Sequence, residues 1–124
     1  MTLTHEKTIA HLSKRLAKEL PNKIESIILY GSAARNQTHE DSDIDILIIT
    51  QKDDKKLYDK ISKIRTQIDL DNNTLTALVQ MSKNELERYL KLGSPFLENV
   101  MKQGVPLYDR GLFKKIRGSL TQKS

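Results

Sequence analysis

Two aspartates, Asp43 and Asp45, open the most hydrophobic run in the chain, Ser42-Asp43-Ile44-Asp45-Ile46-Leu47-Ile48-Ile49. Asp is among the residues most depleted from strands, so a pair spaced by two at the mouth of a strand needs a reason. Side chains alternate across a strand, which puts Asp43 and Asp45 on one face and Ile44, Ile46 and Ile48 on the other. The two carboxylates then sit about 7 Å apart at Cα and repel each other unless a cation lies between them. Hard divalent cations, Mg²⁺ above all, take such oxygen ligands together with substrate phosphates. The plain alternative is a polar strand end with both aspartates in water, which explains one Asp better than two.

The preceding run, Ile24-Glu25-Ser26-Ile27-Ile28-Leu29-Tyr30, stops at Gly31-Ser32 and continues as Ala33-Ala34-Arg35. A strand turning into a helix at Gly-Ser offers backbone N–H groups and the positive end of a helix dipole to an anion. Gly31 permits a tight turn and a close approach of phosphate. Ser32 can cap the helix or donate its hydroxyl, and Arg35, one turn on, can reach the same phosphates. Gly-Ser alone is a weak signal. Joined to an acidic pair on the next strand, it indicates a site for a nucleoside triphosphate carried by Mg²⁺.

Gly31-Ser32-Ala33-Ala34-Arg35, the interval to Ser42, and then Asp43-Ile44-Asp45 resemble the signature of the minimal nucleotidyltransferases of the polymerase β superfamily. The resemblance covers about Ile24 to Thr50. It implies a polymerase β-like nucleotidyltransferase fold and transfer of a nucleoside monophosphate from an NTP to a hydroxyl, with release of pyrophosphate. It assigns Gly31, Ser32, Arg35 and Ser42 to the nucleotide, and Asp43 and Asp45 to catalysis and to Mg²⁺, with ATP as substrate. Catalytic members carry a third carboxylate on the next strand. Leu75 to Met81 holds no Asp or Glu, and Asp69 and Asp71 lie just before it, leaving open whether either takes that place. Members of this size resemble the MntA-type antitoxins of two-gene modules, whose other half is an all-helical HEPN ribonuclease that the antitoxin is thought to adenylylate on a tyrosine.

The elements that must hold these residues can be read in turn. Ile9, Leu12, Leu16 and Leu20 recur at helical spacing from about Thr4 to Leu20, where Pro21 ends the helix; His5 and His11 are expected on its surface. Asn36 to Asp41 has turn chemistry and no periodicity, which predicts a loop over the acidic pair. Asp53 or Asp54 caps a helix with Leu57, Ile61, Ile64 and Ile68 on one face, broken at Asp69 to Asn73. Thr74 to Met81 reads as a third strand. Ser82-Lys83-Asn84-Glu85 has capping-box form, with Leu86, Tyr89 and Leu90 as the stripe to be buried, and Gly93 stops that helix. Ser94-Pro95 starts another, with Phe96, Leu97, Val100 and Met101 as its apolar face until Gly104, and Val105 to Tyr108 looks extended. The order suits an α/β (α+β) fold, a small mixed β-sheet flanked by helices.

At 124 residues the chain has room for one core, expected as a nucleotidyltransferase domain over 1–109 and a tail over 110–124. It has no cysteine, which removes disulfides and thiolate chemistry, and no apolar stretch of membrane-spanning length, so a cytoplasmic location without membrane contact is the expectation. The net charge of +5 equals the tail's Arg110, Lys114, Lys115, Arg117 and Lys123, which no acid offsets. Such a tail can touch nucleic acid, but the commoner outcome, and the reading preferred here, is a solvated, flexible end.

Three functions follow. The first is an enzyme that transfers AMP from ATP to a hydroxyl of a partner, a HEPN-type helical protein encoded nearby. The second is a non-catalytic nucleotide-binding antitoxin that acts by occlusion. The third is a nucleotidyltransferase acting on RNA or a small molecule.

Overall fold

The structure, a computed structural model, describes residues 3–34 and 43–122. Among them run α1 (Leu3–Glu19), β1 (Ile24–Tyr30), α2 (Gly31–Ala34), β2 (Ile44–Thr50), α3 (Lys55–Asn72), β3 (Thr76–Ser82), α4 (Lys83–Lys91), α5 (Pro95–Gln103), β4 (Val105–Asp109) and α6 (Leu112–Gln122). The strands form one mixed sheet in the order β3-β2-β1-β4. β1 is antiparallel to both β2 and β4, whereas β2 and β3 run parallel, joined by α3.

Alternation along the two central strands sorts the core into two layers. Ile27 and Leu29 of β1 and Ile44, Ile46 and Ile48 of β2 pack under Ile9, Leu12 and Leu16 of α1 and Leu57, Ile61, Ile64 and Ile68 of α3. Ile28, Leu47 and Ile49 face the other way, onto Leu86 of α4, Leu97, Val100 and Met101 of α5 and Phe113 of α6. Strands covered on both faces must be apolar almost throughout, which is why β1 and β2 stood out in the sequence.

The caps fall where the side chains put them. Asp54 accepts from the N–H groups of Lys56 and Leu57, Ser82 and Glu85 form the reciprocal box, and Ser94 accepts from Leu97 N–H ahead of Pro95. α3 runs on past the expected break to Asn72, and Asn73 ends it in the left-handed region, with φ 54°. β3 accordingly starts two residues later than the sequence suggests. Two expected positions are reversed. His5 is buried, at 2 % exposure, on the α1 face that meets the sheet. Tyr89 is 39 % exposed, beneath the Arg88 guanidinium.

The expectation of a flexible end over 110–124 is corrected: residues 112–122 form α6, and Phe113 is 2 % exposed in the second core layer. Charge dominates this stretch to the eye, yet Leu112, Phe113, Ile116 and Leu120 carry the helical period that docks it. Its first turn is held by acids. Asp109 accepts from the Ser26 hydroxyl at 2.7 Å and from the N–H groups of Phe113 and Lys114 at 3.1 Å each. Glu25, at the β1 bulge, accepts from Leu112 N–H. At the other side, Arg117 donates to the carbonyls of Met101 and Gly104 and lies over the Phe113 ring, so a basic residue of the supposed tail caps α5.

Burial opposes ionisation of Asp109, but the Ser26 hydroxyl and the N–H groups of Gly111, Phe113 and Lys114 together hold its carboxyl below the usual range. A depressed carboxylate stabilises the fold above its unfolded pKa and loses that contribution as pH falls through the folded value. Asp109→Asn is expected to cost about 1–3 kcal/mol at neutral pH. The wild-type and variant melting temperatures should converge as the pH drops below about 4, a trend that a pH series of thermal melts reads directly.

Candidate active site

Asp43 precedes β2 and is exposed, while Asp45 lies within β2, half-buried, in register with Tyr30 of β1. Ile44 between them is fully buried in the opposite layer. Burial raises the Asp45 pKa above the ordinary carboxylate value, and the charge of Asp43 raises it further, so the two carboxyls are near enough to feel each other. Burial, with the Asp45 charge added, also raises the Tyr30 phenol.

Gly31 follows Tyr30 with φ +71°, a left-handed conformation that glycine adopts without penalty. A Cβ built there would lie 3.2 Å from the Asp45 carboxyl carbon and closer still to its Oδ2. The turn and the inner carboxylate are therefore packed against each other. The side chain of Ser32 and all of Arg35, Ser42 and residues 36–41, expected from sequence as a loop and including His39, Glu40 and Asp41, lie outside the described residues.

Two hard-oxygen ligands that repel each other, one of them half-buried, fit a divalent cation, which would favour the ionised form of Asp45. Among the described residues no group of three or more His, Asp or Glu gathers around one point. On β3, Ala77 stands beside Asp45 in the parallel register, where a third carboxylate would share the face of the pair. Asp69 cannot substitute for it. Its carboxylate accepts from the hydroxyls of Thr74 and Thr76 at 2.8 Å each and from Thr76 N–H at 2.9 Å. Thr76 pairs with Ile44, so that network belongs to the α1 and α3 side of the sheet. Asp71 is exposed near the end of α3, where its charge acts on Arg15 of α1.

The sequence profile described as Polymerase beta, Nucleotidyltransferase matches residues 11–111. This chain belongs to that nucleotidyltransferase family. It is 30 % identical over 106 residues to the putative protein adenylyltransferase of Methanocaldococcus jannaschii, across 86 % of this chain and 100 % of the relative. The nucleotidyltransferase fold recurs in a chain of a toxin–antitoxin crystal structure with AMP-PNP (TM-score 0.62, 20 % identity, 93 % of this chain and 85 % of that one). It recurs again in a chain of the complex of tri-AMPylated Shewanella oneidensis HEPN toxin with MNT antitoxin (TM-score 0.55, 21 % identity, 96 % and 87 %). The matched span takes in β1, the Gly31 turn, β2 and β3, so the nucleotidyltransferase core is the part of the fold that carries the acidic pair.

Next to the pair is a cleft between β1 and α5 that the sequence signature did not announce. Tyr30 meets Phe96 edge-on, with ring centroids 5.3 Å apart, and Asn99 and Gln103 follow Phe96 on the same helix face. The signal was there as polar residues at positions three and seven after an aromatic. It was hidden because the same helix also buries Leu97, Val100 and Met101.

Gly31→Ala is expected to cost about 1–2 kcal/mol of stability for the left-handed backbone and to push the Asp45 carboxylate off its position. A displacement of this size should lower nucleotide transfer about 10²-fold. Thermal melts and a labelled-nucleotide assay on the same preparation separate the two effects.

Proposed function

We propose that this nucleotidyltransferase uses Mg²⁺ and ATP to adenylylate a hydroxyl, that of a tyrosine on a helical HEPN-type ribonuclease partner, and so acts as its antitoxin. The observation that carries this reading is the Asp45 carboxylate packed against the Gly31 turn with Asp43 beside it. In the reaction, the acceptor hydroxyl gives up its proton to solvent as its oxygen bonds to the α-phosphorus, the bond to the bridging oxygen breaks, and pyrophosphate leaves. Asp43 and Asp45 would hold the metal, which supplies cancellation of charge on the phosphates when bound. The turn from Gly31 to Ser32, with Arg35 and Ser42, would hold the triphosphate, and Gly31 keeps side-chain bulk away from it. Packing of the half-buried Asp45 against the Gly31 turn restricts its direction, so little reorganisation is needed at the moment of transfer.

The name of the M. jannaschii relative supports a protein as acceptor, and the HEPN–MNT complex among the structural neighbours supports the class of partner. A second reading, occlusion of the partner without transfer, is favoured by Ala77 standing where a third carboxylate would help activate the acceptor. A nucleic-acid acceptor draws less support, because Arg117 of the basic end is engaged with α5. Among the described residues no helix is long and apolar enough to cross a membrane.

The deciding experiment incubates the protein with α-labelled ATP, Mg²⁺ and the product of the adjacent gene. Label on the partner supports adenylylation. A stable complex without label supports occlusion, and label on added RNA or a small molecule alone overturns both.

A further inference from the structure

The geometry points to the cleft between β1 and α5 as the adenine-binding subsite, with Phe96 as stacking platform and Asn99 and Gln103 as the residues that read the base. This rests on the nucleotide reading of the Asp43–Asp45 site and adds the residues that select the nucleotide. The cleft measures about 160 Å³ and takes Gly31 and Tyr30 as its inner wall. Tyr30 is the register partner of Asp45, so a ligand seated here is continuous with one whose phosphates lie at the acidic pair.

The lining tells which end of the ligand fits. None of the described residues lining the cleft is charged, which suits the base end and not the phosphates. Phe96 is 42 % exposed and lines the cleft beside Tyr30, so ring surface is available to a ligand there. Bases stack on aromatic side chains. Asn99 and Gln103 are spaced by four on α5, hence on one side of the helix and one turn apart. A carboxamide offers a donor beside an acceptor. On its N7 edge adenine offers an amino donor next to a ring-nitrogen acceptor, which this pattern complements, whereas guanine offers two acceptors on that edge.

The wall is braced. Gly104, which closes the cleft, is buried so tightly that a Cβ there would lie 2.6 Å from Ile28 Cγ2. Arg117 donates to the carbonyls of Met101 and Gly104 and holds this end of α5 in place.

Calorimetric titrations of the whole chain in Mg²⁺ with ATP, GTP and inorganic tripolyphosphate test the assignment. ATP should bind about tenfold or more tightly than either competitor. Phe96→Ala should weaken ATP about tenfold, and Asn99→Ala with Gln103→Ala should erase most of the preference of ATP over GTP. Tripolyphosphate binding should stay unchanged in all of these variants, which also shows that they are folded. Equal affinity for the three ligands, or an unaltered ATP affinity in Phe96→Ala, overturns the subsite and leaves the phosphate site standing. Loss of transfer in Phe96→Ala with ATP affinity intact also overturns it, by assigning the cleft to the acceptor ring. Failure of tripolyphosphate to bind the wild-type protein removes the nucleotide reading itself, and the subsite with it.

Discussion

Asp43→Ala and Asp45→Ala are each expected to lower nucleotide transfer by about 10³-fold, with the folded state retained. Each substitution removes half of the oxygen set that would hold the cation, and with it the cancellation of charge on the triphosphate. Stability should move the other way. Burial and then the Asp43 charge raise the Asp45 pKa, and a carboxyl with a raised folded pKa destabilises the fold when ionised. That penalty is present above the folded value and disappears as pH falls below the unfolded one. Asp45→Asn should therefore melt at or above the wild-type temperature at neutral pH while having lost transfer. Melting curves and labelled-ATP transfer measured side by side check this. Transfer that survives both alanine variants would remove the site assignment, and a collapse of the fold in Asp45→Asn would make the carboxylate structural.

Asp69→Ala is expected to behave in the opposite sense, with a loss of about 2–4 kcal/mol of stability and transfer per folded molecule unchanged. The carboxylate is 8 % exposed and accepts from three donors, two hydroxyls and the Thr76 N–H. Truncation leaves those donors unpaired in a buried place, which costs more than the bonds themselves contribute. The network also ties the end of α3 to the start of β3, because Thr74 N–H bonds to the Asp69 carbonyl and the Thr74 hydroxyl meets Thr8 of α1. Chemical denaturation gives the stability change, and transfer below the unfolding transition gives the other half. Loss of transfer at full folding would show that Asp69 serves as the third carboxylate after all.

These two acids look alike in the sequence: each is an Asp beside the apolar end of an element. Tertiary placement separates them. Asp45 faces the α4, α5 and α6 side and meets a glycine; Asp69 meets threonines on the α1 and α3 side.

Much of the local structure was legible without coordinates because its causes act within one or two turns of chain. Period-two alternation assigned Asp43 and Asp45 to a face away from Ile44, and the stripe Leu57, Ile61, Ile64, Ile68 set the buried side of α3. Asp54, Ser82 and Ser94 each bond N–H groups two or three residues ahead, so their caps could be read directly. The strand order and the cleft could not, since they depend on partners far along the chain. Ser26 meets Asp109 across 83 positions, and Arg117 reaches back to Met101 and Gly104. The same reason hid α6. Its charges suggested a solvated end, and only the apolar groove left by β1, α4 and α5 gives Phe113, Ile116 and Leu120 something to bury against. Residue types and short spacings determined that the chain holds an acidic pair beside a glycine turn; the long-range packing alone decided what surrounds that pair and which other acids stay out of it.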